Sequence, residues 1–424
     1  MKVTAILTEV NPERVLDVAF DVGKDKLNSV FEIGQQRHED EFGNRSGAIR
    51  RELKGYMEQA RAKGFETLRV LCEPSGGYEK TLVKIAHQLG CRTAYVGGEV
   101  SHKFRVVVYG EPGKTDTRDA RPLLAAATHG KLLTIRELPP EYELLREING
   151  EYDWNSKQRV MVRCEISGLL VRLFPDMPMG NDFLYEPGGM AMAREYGWNP
   201  RQIVAAGLAH LTACLKTANV RLRDHTIERI WEAAGQSVQL HDGGPAADYV
   251  AERLQRCYEH FERLDRDRLA LRVRLEEVYR KLRETDPWLP TAVDGVIKLY
   301  MLARIIAETG PLSDFRSIQQ LYRFAGLNLC ERKSGKYQGK TKISRKGRVA
   351  LRRVLARAVL PLVRKGGLYG EWYHTPDGET KKGKGMSALM RKFLKMILGW
   401  YKSGREFDLK RVFISAGDYA AQAA

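Results

Sequence analysis

Four acidic residues in the amino-terminal third of the chain could together bind divalent metal ions. Asp21 and Glu73 each follow a run of apolar residues, and Asp116 and Asp119 lie three residues apart. On a helix, side chains three residues apart share a face, so the last two carboxylates would point the same way. Carboxylates without histidine or cysteine are ligands for hard cations, which predicts Mg²⁺ or Mn²⁺. Two such ions about 3.5–4 Å apart stabilise both oxygens of a phosphoryl displacement.

Each half of this acidic set also has a simpler interpretation. Asp21 could cap a strand, and Glu73 could pair with an arginine. The later pair could be the solvated, capped start of a helix, with its charges balanced by neighbouring cations. Those cations are Lys114, Arg118 and Arg121.

A serine in a strongly basic stretch is the second candidate for chemistry. Residues 331–365 carry thirteen Lys or Arg and one acid, Glu331. Ser334 lies beside a glycine, which leaves its hydroxyl open to a phosphate, but a serine is a weak nucleophile until a base or metal activates it. Composition alone favours a basic hairpin that merely grips backbone phosphates. The candidate phosphate-binding cations are Lys333, Lys336, Lys340, Arg345, Lys346, Arg348 and Arg352.

The composition predicts a polyanionic partner, nucleic acid before membrane. The 424 residues include 70 Lys or Arg against 53 Asp or Glu, a formal charge of +17, and the concentration of this charge in one stretch is typical of a phosphate-binding face. The six cysteines form no CxxC pair, which argues against a zinc knuckle. No apolar run approaches membrane-spanning length. We therefore expect a cytoplasmic, nucleoid-associated protein of two or three domains.

The acids are expected at one end of a mixed β-sheet. Residues 15–22 and 67–73 are apolar, β-branched runs that predict central strands, and a further strand is predicted over 92–96. A hairpin partner follows the first strand, and helices lie between the others, which predicts an α/β fold. Open α/β sheets bind ligands at the carboxyl ends of their strands, where Asp21 and Glu73 lie.

The rest of the chain is expected to be mostly helical. Residues 136–176 predict a long helix, whereas 178–200, rich in Gly, Met and Pro, predict a loop or insertion. Residues 249–284 repeat apolar residues at alternating spacings of four and three, which indicates a coiled coil. It could pair within the chain, with the 136–176 helix, or between chains. Two further helices are predicted over 294–308 and 315–324.

The acidic motifs resemble those of DEDD-type insertion-sequence transposases, the insertion sequence 110 family, which include the Piv invertases. That resemblance implies an RNase H-like (RuvC-like) α/β catalytic domain. It also implies that Asp21, Glu73, Asp116 and Asp119 bind the metal. The motifs are Phe20-Asp21-Val22-Gly23-Lys24, Glu73-Pro74-Ser75-Gly76-Gly77-Tyr78 and Lys114-Thr115-Asp116-Thr117-Arg118-Asp119-Ala120-Arg121.

The basic stretch resembles the same family's Ser-Gly … Ile-Ser-Lys-x-Gly signature. Its first serine is the family's proposed nucleophile, which implies that Ser334 rather than Ser344 attacks phosphorus. The two helices before it resemble the helix-hairpin-helix start of the family's mostly α C-terminal transposase domain. Where the family has a Pro-Gly-x-Gly turn, this chain has Val293-Asp294-Gly295-Val296.

The resemblance implies a site-specific DNA transposase or recombinase that uses Mg²⁺ (or Mn²⁺) and a phosphoserine intermediate. Its implied partners are the DNA of element ends and target, a structured guide RNA, and further copies in a dimer or tetramer, with no membrane. We expect a RuvC-like domain over 1–135, a helical linker with the coiled coil over 136–290, and a transposase domain over 291–424. The alternatives are a RuvC-like junction nuclease that uses water as nucleophile, and a non-catalytic nucleic-acid-binding scaffold.

Overall fold

The computed structural model of the chain divides into two compact units. Unit 1 combines Met1–Pro139 with Phe315–Gly347, and unit 2 combines Pro140–Asp314 with Arg348–Ala424. Each unit joins two separate stretches of sequence, and the predicted three-domain boundaries stay a prediction. The structure describes residues 2–7, 14–110, 120–180, 182–218, 222–240, 244–331, 333–334, 337–339, 341–364, 369–374 and 384–407.

A mixed sheet is the centre of unit 1. Its strands, within the described residues, are β1 (Lys2–Leu7), β2 (Val15–Val22), β3 (Lys26–Ile33), β4 (Gln36–Gly43), β5 (Thr67–Cys72), β6 (Arg92–Tyr95) and β7 (Leu132–Arg136). Their order in the sheet is β1-β7-β6-β5-β2-β3-β4. Strands β2, β5 and β6 run parallel, whereas β3 and β4 extend the sheet as an antiparallel meander. The predicted central strands are confirmed, and the sheet is compatible with an α/β nuclease-like domain.

Helices cover both faces of this sheet. On one face, α1 (Ser46–Ala62) and α2 (Lys80–Gln88) pack on the side chains of Phe20 and Cys72. On the other face, α3 (Gly98–Tyr109) and α4 (Arg121–Thr128) pack on Ala19 and Leu71. Both faces of β2 and β5 are therefore buried, as their uninterrupted apolar sequences require. Unit 1 also contains α11 (Ile318–Ala325) and two small ladders, formed by β8 (Leu329–Cys330) with β11 (Lys342–Ile343) and β9 (Lys333–Ser334) with β10 (Tyr337–Gln338).

The described part of unit 2 is built from helices. They are α5 (Pro140–Leu173), α6 (Pro187–Tyr196), α7 (Pro200–Ala218), α8 (Asp224–Leu240), α9 (Pro245–Thr285), α10 (Leu299–Thr309), α12 (Val349–Val359), α13 (Gly370–Tyr373) and α14 (Lys384–Ser403). Short 3-10 turns lie at Phe183–Tyr185, Leu312–Asp314 and Leu360–Val363. In the described residues, no helix combines the length and the apolarity needed to cross a bilayer.

The long helices α5 and α9 pack along each other within the chain. The Nδ2 of Asn155 donates to the carbonyl of Leu264 at 3.0 Å, and Arg253 pairs with Glu165, which sets an antiparallel register. The predicted apolar seam of α9 is largely buried: Val250, Leu254, Cys257, Phe261, Leu264, Leu275, Val278 and Leu282. The pairing within the chain is thus seen, whereas supercoiling stays a prediction.

Two predictions about unit 2 are wrong in detail. Residues 178–200 are not a loop throughout, because α6 forms at Pro187–Tyr196 and places Met192 in the core. The helix predicted over 294–308 begins at Leu299 rather than at residue 294. A bridge between Val293 and Ile297 closes a turn there, in which Gly295 has φ +71°.

A buried polar network ties α5, α10 and α12 together. Arg304, 1% exposed, donates to Asn149 at 2.8 Å and pairs with Asp153 at 2.5 Å. Asn149 donates in turn to Glu308 at 2.8 Å. Glu308 also pairs with Arg348, the residue that directly precedes α12. Each buried charge has an opposite charge beside it, which offsets the cost of burial.

Candidate active site

Asp21 and Glu73 occupy neighbouring positions on two adjacent parallel strands. Phe20 of β2 is in register with Cys72 of β5, so the next residue on each strand is one of the two acids. Successive side chains alternate between the faces of a sheet. The acids therefore lie on the face of Ala19 and Leu71, which is the face that α4 covers.

The loop that carries Glu73 is held by a buried carboxylate that the sequence analysis overlooked. Glu79, 4% exposed, accepts hydrogen bonds from the amide and hydroxyl of Ser75 and from the amide of Gly77, at 2.9–3.2 Å. The hydroxyl of Tyr95 donates to its other oxygen at 3.2 Å. Burial by itself would raise the pKa of Glu79, but the hydrogen bonds from its own amide, Gly77 and Ser75 hold that pKa below its ordinary value.

Backbone geometry explains the glycines of this loop. Gly76 and Gly77 have φ values of +75° and +121°, which residues with a side chain rarely adopt. A second tie comes from Asn44, whose Nδ2 donates to the carbonyls of Gly23 and Tyr78 at 2.9 and 3.2 Å. One amide thus links the loop after Asp21 to the loop after Glu73. Neither Asn44 nor Glu79 belongs to a motif, and a polar residue before a helix looks like surface in a single sequence.

The amino terminus of α3 lies beside Glu73. A methyl group added to Gly98 would lie 3.7 Å from Oε2 of Glu73, so the carboxylate approaches the first turn of that helix. The partial positive charge of a helix amino terminus favours an anion in this position. No ion pair involving Glu73 occurs among the described residues. The interpretation that Glu73 pairs with an arginine therefore finds no support there.

Asp116 and Asp119 lie outside the described residues, and so do the flanking Lys114 and Arg118. Ala120, the next residue in the chain, is 1% exposed and packs in the same cluster as Ala19 and Leu71. The described chain therefore resumes, at Ala120, on the face of Asp21 and Glu73. Among the described residues no group of three or more acids, histidines or cysteines could hold a metal ion. The four-acid cluster stays a prediction.

The two ladders of unit 1 lie around Ser334, within residues 329–343. Ser334 is in register with Tyr337 in the β9–β10 ladder, while Lys336 and Lys340 lie outside the described residues. Ser344 directly follows β11, and its hydroxyl donates to Oδ1 of Asn328 and accepts the amide of Lys346. That hydroxyl is thereby used to build the turn.

The turn after Ser344 presents two predicted cations. Arg345 has φ +57° and is exposed, and its amide donates to the carbonyl of Gly326 at 3.0 Å. Gly347 packs so tightly that an added methyl group would lie 2.4 Å from the amide nitrogen of Gly326. Lys346 reaches Oε1 of Glu99 in the first turn of α3 at 2.6 Å. Within unit 1, the turn after Ser344 therefore contacts the helix that begins beside Glu73.

The remaining predicted cations differ in accessibility. Arg348 is buried, with 7% of its side chain exposed, and its guanidinium pairs with Glu308. Its sequence-based assignment to a phosphate-binding face fits this environment poorly, and we leave it out of the proposed interface. Arg352 is half-buried on α12, and Lys333 belongs to β9.

Comparison with known families gives two matches. A transposase model of the DEDD type of insertion sequence 110 matches residues 18–175. A second model, described as the transposase IS116/IS110/IS902 family, matches residues 295–374. The first match includes all four predicted acids, and the second includes Ser334 and Ser344. No curated protein matches the chain.

Proposed function

Because this chain belongs to the IS110 family of transposases, it is a DNA transposase or recombinase, and we propose how its residues break and rejoin DNA. The observation that carries the proposal is the pair of acids, Asp21 and Glu73, side by side at the ends of β2 and β5. We infer that this sheet is the RuvC-like, RNase H-type catalytic domain. Like charges so close together are unfavourable unless a cation lies between them.

The donor set fits a hard divalent cation. DEDD transposases typically use divalent metal ions, and the described donors here are carboxylates, the oxygen ligands that Mg²⁺ and Mn²⁺ take. We propose that Asp21, Glu73, Asp116 and Asp119 hold the metal. When bound, the metal would supply charge neutralisation at the scissile phosphate. Glu79 and Asn44 hold the loops of two of these acids in position before DNA arrives.

The proposed nucleophile is the hydroxyl of Ser334. Its Oγ forms a bond to phosphorus as the bond from phosphorus to the leaving-strand oxygen breaks. The serine proton goes to a base, and the leaving oxygen takes up a proton as a hydroxyl. In the second step a hydroxyl of another DNA strand attacks the phosphoserine, which restores the serine. Each broken phosphodiester is replaced by another phosphoester, so no nucleotide hydrolysis is needed.

The surface of the turn at Arg345 and Lys346 is the proposed contact with backbone phosphates. A structured guide RNA and an assembly of two or four copies are further parts of the proposal, as is action in the cytoplasm at the nucleoid. The formal charge of +17 is concentrated in one stretch, which is more than a soluble surface requires. This supports a nucleic-acid partner. Charge does not separate DNA from RNA contacts.

A suicide DNA substrate, nicked so that the cleaved end is lost, tests the chemistry. The wild-type protein should give an SDS-resistant DNA adduct that maps to Ser334. Ser334→Ala should abolish the adduct, and Ser344→Ala is the matched control that keeps it, since that hydroxyl bonds Asn328. Full cleavage by Ser334→Ala would eliminate the phosphoserine and favour the RuvC-like nuclease that uses water.

The non-catalytic scaffold is tested by the same substrate. It predicts that Asp119→Ala leaves every activity unchanged and that chelation of divalent ions has no effect. We expect loss of cleavage in both cases.

A further inference from the structure

A cleft in unit 2 is lined by aromatic residues and arginines. It measures about 410 Å³ and lies between the segment after α9 and the carboxyl-terminal end of α14. Its lining includes Arg283, Trp288, Trp400, Arg405 and Phe407. These residues lie outside both segments that the family models match. The size falls in the range of pockets that take small organic ligands.

Trp288 is an exposed aromatic side chain on a firmly held loop. It is 57% exposed, although the neighbouring Leu289 is buried. Arg283 donates to the carbonyls of Leu289 and Pro287 at 3.0 and 3.4 Å, and Tyr279 donates to the carbonyl of Pro290 at 2.8 Å. The backbone of this loop is already ordered before any ligand binds. Stacking on the indole therefore carries little entropic cost for ordering the loop.

One wall of the cleft is shaped by a glycine. Gly404 has φ +56°, and a methyl group added to it would lie 3.1 Å from the ring of Trp288. The indole therefore rests directly on the backbone of Gly404. The rings of Trp400 and Phe407 line the same cleft, with their centroids 4.6 Å apart and their planes at 43°. The cleft thus offers more than one aromatic surface to a flat ligand.

The charge around the cleft favours an anionic ligand. Residues 384–407 carry six Lys or Arg against one acid, Glu406, which also lines the cleft. Arg405 is exposed at the mouth. Aromatic surfaces with neighbouring arginines are the combination by which proteins bind unpaired nucleotides, with bases stacked on rings and cations on the backbone.

We propose that this cleft binds an unpaired nucleobase of a single-stranded DNA or RNA segment, by stacking on Trp288. The inference rests on the proposed nucleic-acid function but not on its chemistry, since binding is measured without strand cleavage. A double-stranded ligand keeps its bases stacked on one another and would gain nothing from the indole. The cleft therefore distinguishes unpaired from paired nucleic acid.

The test is the affinity of the full-length protein for short unstructured oligothymidylate and oligouridylate, measured by fluorescence anisotropy at one fixed salt concentration. Trp288→Ala should weaken binding of at least one of them by about 5- to 100-fold, the range expected for loss of one base–aromatic stack. Trp288→Phe should restore most of the affinity. If only one oligonucleotide loses affinity, the base comes from DNA or from RNA accordingly. If Trp288→Ala binds both oligonucleotides as tightly as wild type, the proposal is overturned.

Two controls separate stacking from general damage. Trp154→Ala removes an indole that is 59% exposed on α5 and does not line the cleft, so its affinity should match wild type. With an oligonucleotide of the same length that lacks its bases, wild type and Trp288→Ala should bind equally. A loss that persists without bases, that is as large for a duplex, or that Trp154→Ala reproduces would refute stacking. Normal adduct formation at Ser334 would then show that only the cleft had failed.

Discussion

The two ends of the β2–β5 strand pair treat their charges in opposite ways. At one end Asp17 faces Arg69 across the strands, with two hydrogen bonds of 2.6 and 2.8 Å. Four residues further along the same strands, and on the same face, Asp21 is next to Glu73. One site has an acid and a base, and the other has two acids.

The first arrangement is that of a structural ion pair, and the second is the one for which we propose a functional role. The Asp17–Arg69 pair satisfies itself, as does the network around Arg304 in unit 2. Such pairs are complete without a ligand. Two adjacent carboxylates repel each other, and the metal ion that we propose for this site would offset that repulsion.

The largest effect is expected from Asp21→Asn. This change keeps the shape of the side chain but removes a charge that the proposed mechanism needs, so strand cleavage should fall by about 10³-fold. The free energy of unfolding should stay equal or rise, because repulsion with Glu73 is relieved. Cleavage of a suicide substrate and urea denaturation measure the two quantities. Wild-type cleavage by this variant would remove the distinction between the two ends.

Asp17→Ala should have the reverse profile. It leaves the guanidinium of Arg69, 5% exposed, buried without its partner, which costs about 3–5 kcal/mol of unfolding free energy. Cleavage per folded molecule should be nearly normal, because Asp17 lies at the other end of the strand pair. Replacing both residues, as in the double variant Asp17→Leu with Arg69→Met, should recover much of the stability. A selective loss of cleavage in a fully folded Asp17→Ala protein would contradict the comparison.

Glu79→Gln should give an intermediate effect. The amide cannot accept all the hydrogen bonds that the carboxylate takes from Ser75, Gly77 and Tyr95, so about 1–3 kcal/mol of stability should be lost. Because the folded-state pKa of Glu79 is lowered, its contribution is present above the ordinary carboxyl pKa and disappears as pH falls through the lower folded-state value. The measurement is the unfolding free energy of wild type and of Glu79→Gln at a series of acidic pH values. A stability difference that stays constant down to the lowest pH would be the contrary result.

The smallest effect is expected from the exposed cation Arg345. Arg345→Ala should lower the slope of log affinity against log salt for duplex DNA by about 0.9, the value for one phosphate contact. Arg348→Ala is the contrasting change, since it removes the partner of Glu308 and should reduce stability instead. Equal salt slopes for wild type and Arg345→Ala would place the phosphate contact elsewhere.

Much of unit 1 could be predicted because local sequence and tertiary role agree there. The apolar runs of β2 and β5 end at turns, and their acids follow directly, so alternation and topology suffice. The strand β4 (Gln36–Gly43) was not predicted, because it is a polar edge strand with no apolar alternation. The loop predicted over 178–200 was wrong because Gly and Pro there mark the boundaries of α6, whose core contacts no local pattern reveals.

The supporting residues of the site were harder to find for a different reason. Glu79 and Asn44 act through backbone groups of residues that become neighbours only in the fold. Any Glu or Asn near a turn has the same local signature. Order and spacing were enough to predict the motif acids, and that assignment stays a prediction, whereas the contacts of Asn44 and Glu79 depend on the fold, which spacing does not encode.

The ion pair between Lys346 and Glu99 gives the lysine a counterion that belongs to the protein itself. A phosphate that takes over Lys346 would displace a carboxylate that stays covalently attached, rather than an ion that escapes to the solvent. This contact should therefore depend less on ionic strength than the one at Arg345. Glu99→Gln should both tighten DNA binding and steepen its salt dependence, because it removes the carboxylate that competes with phosphate for Lys346.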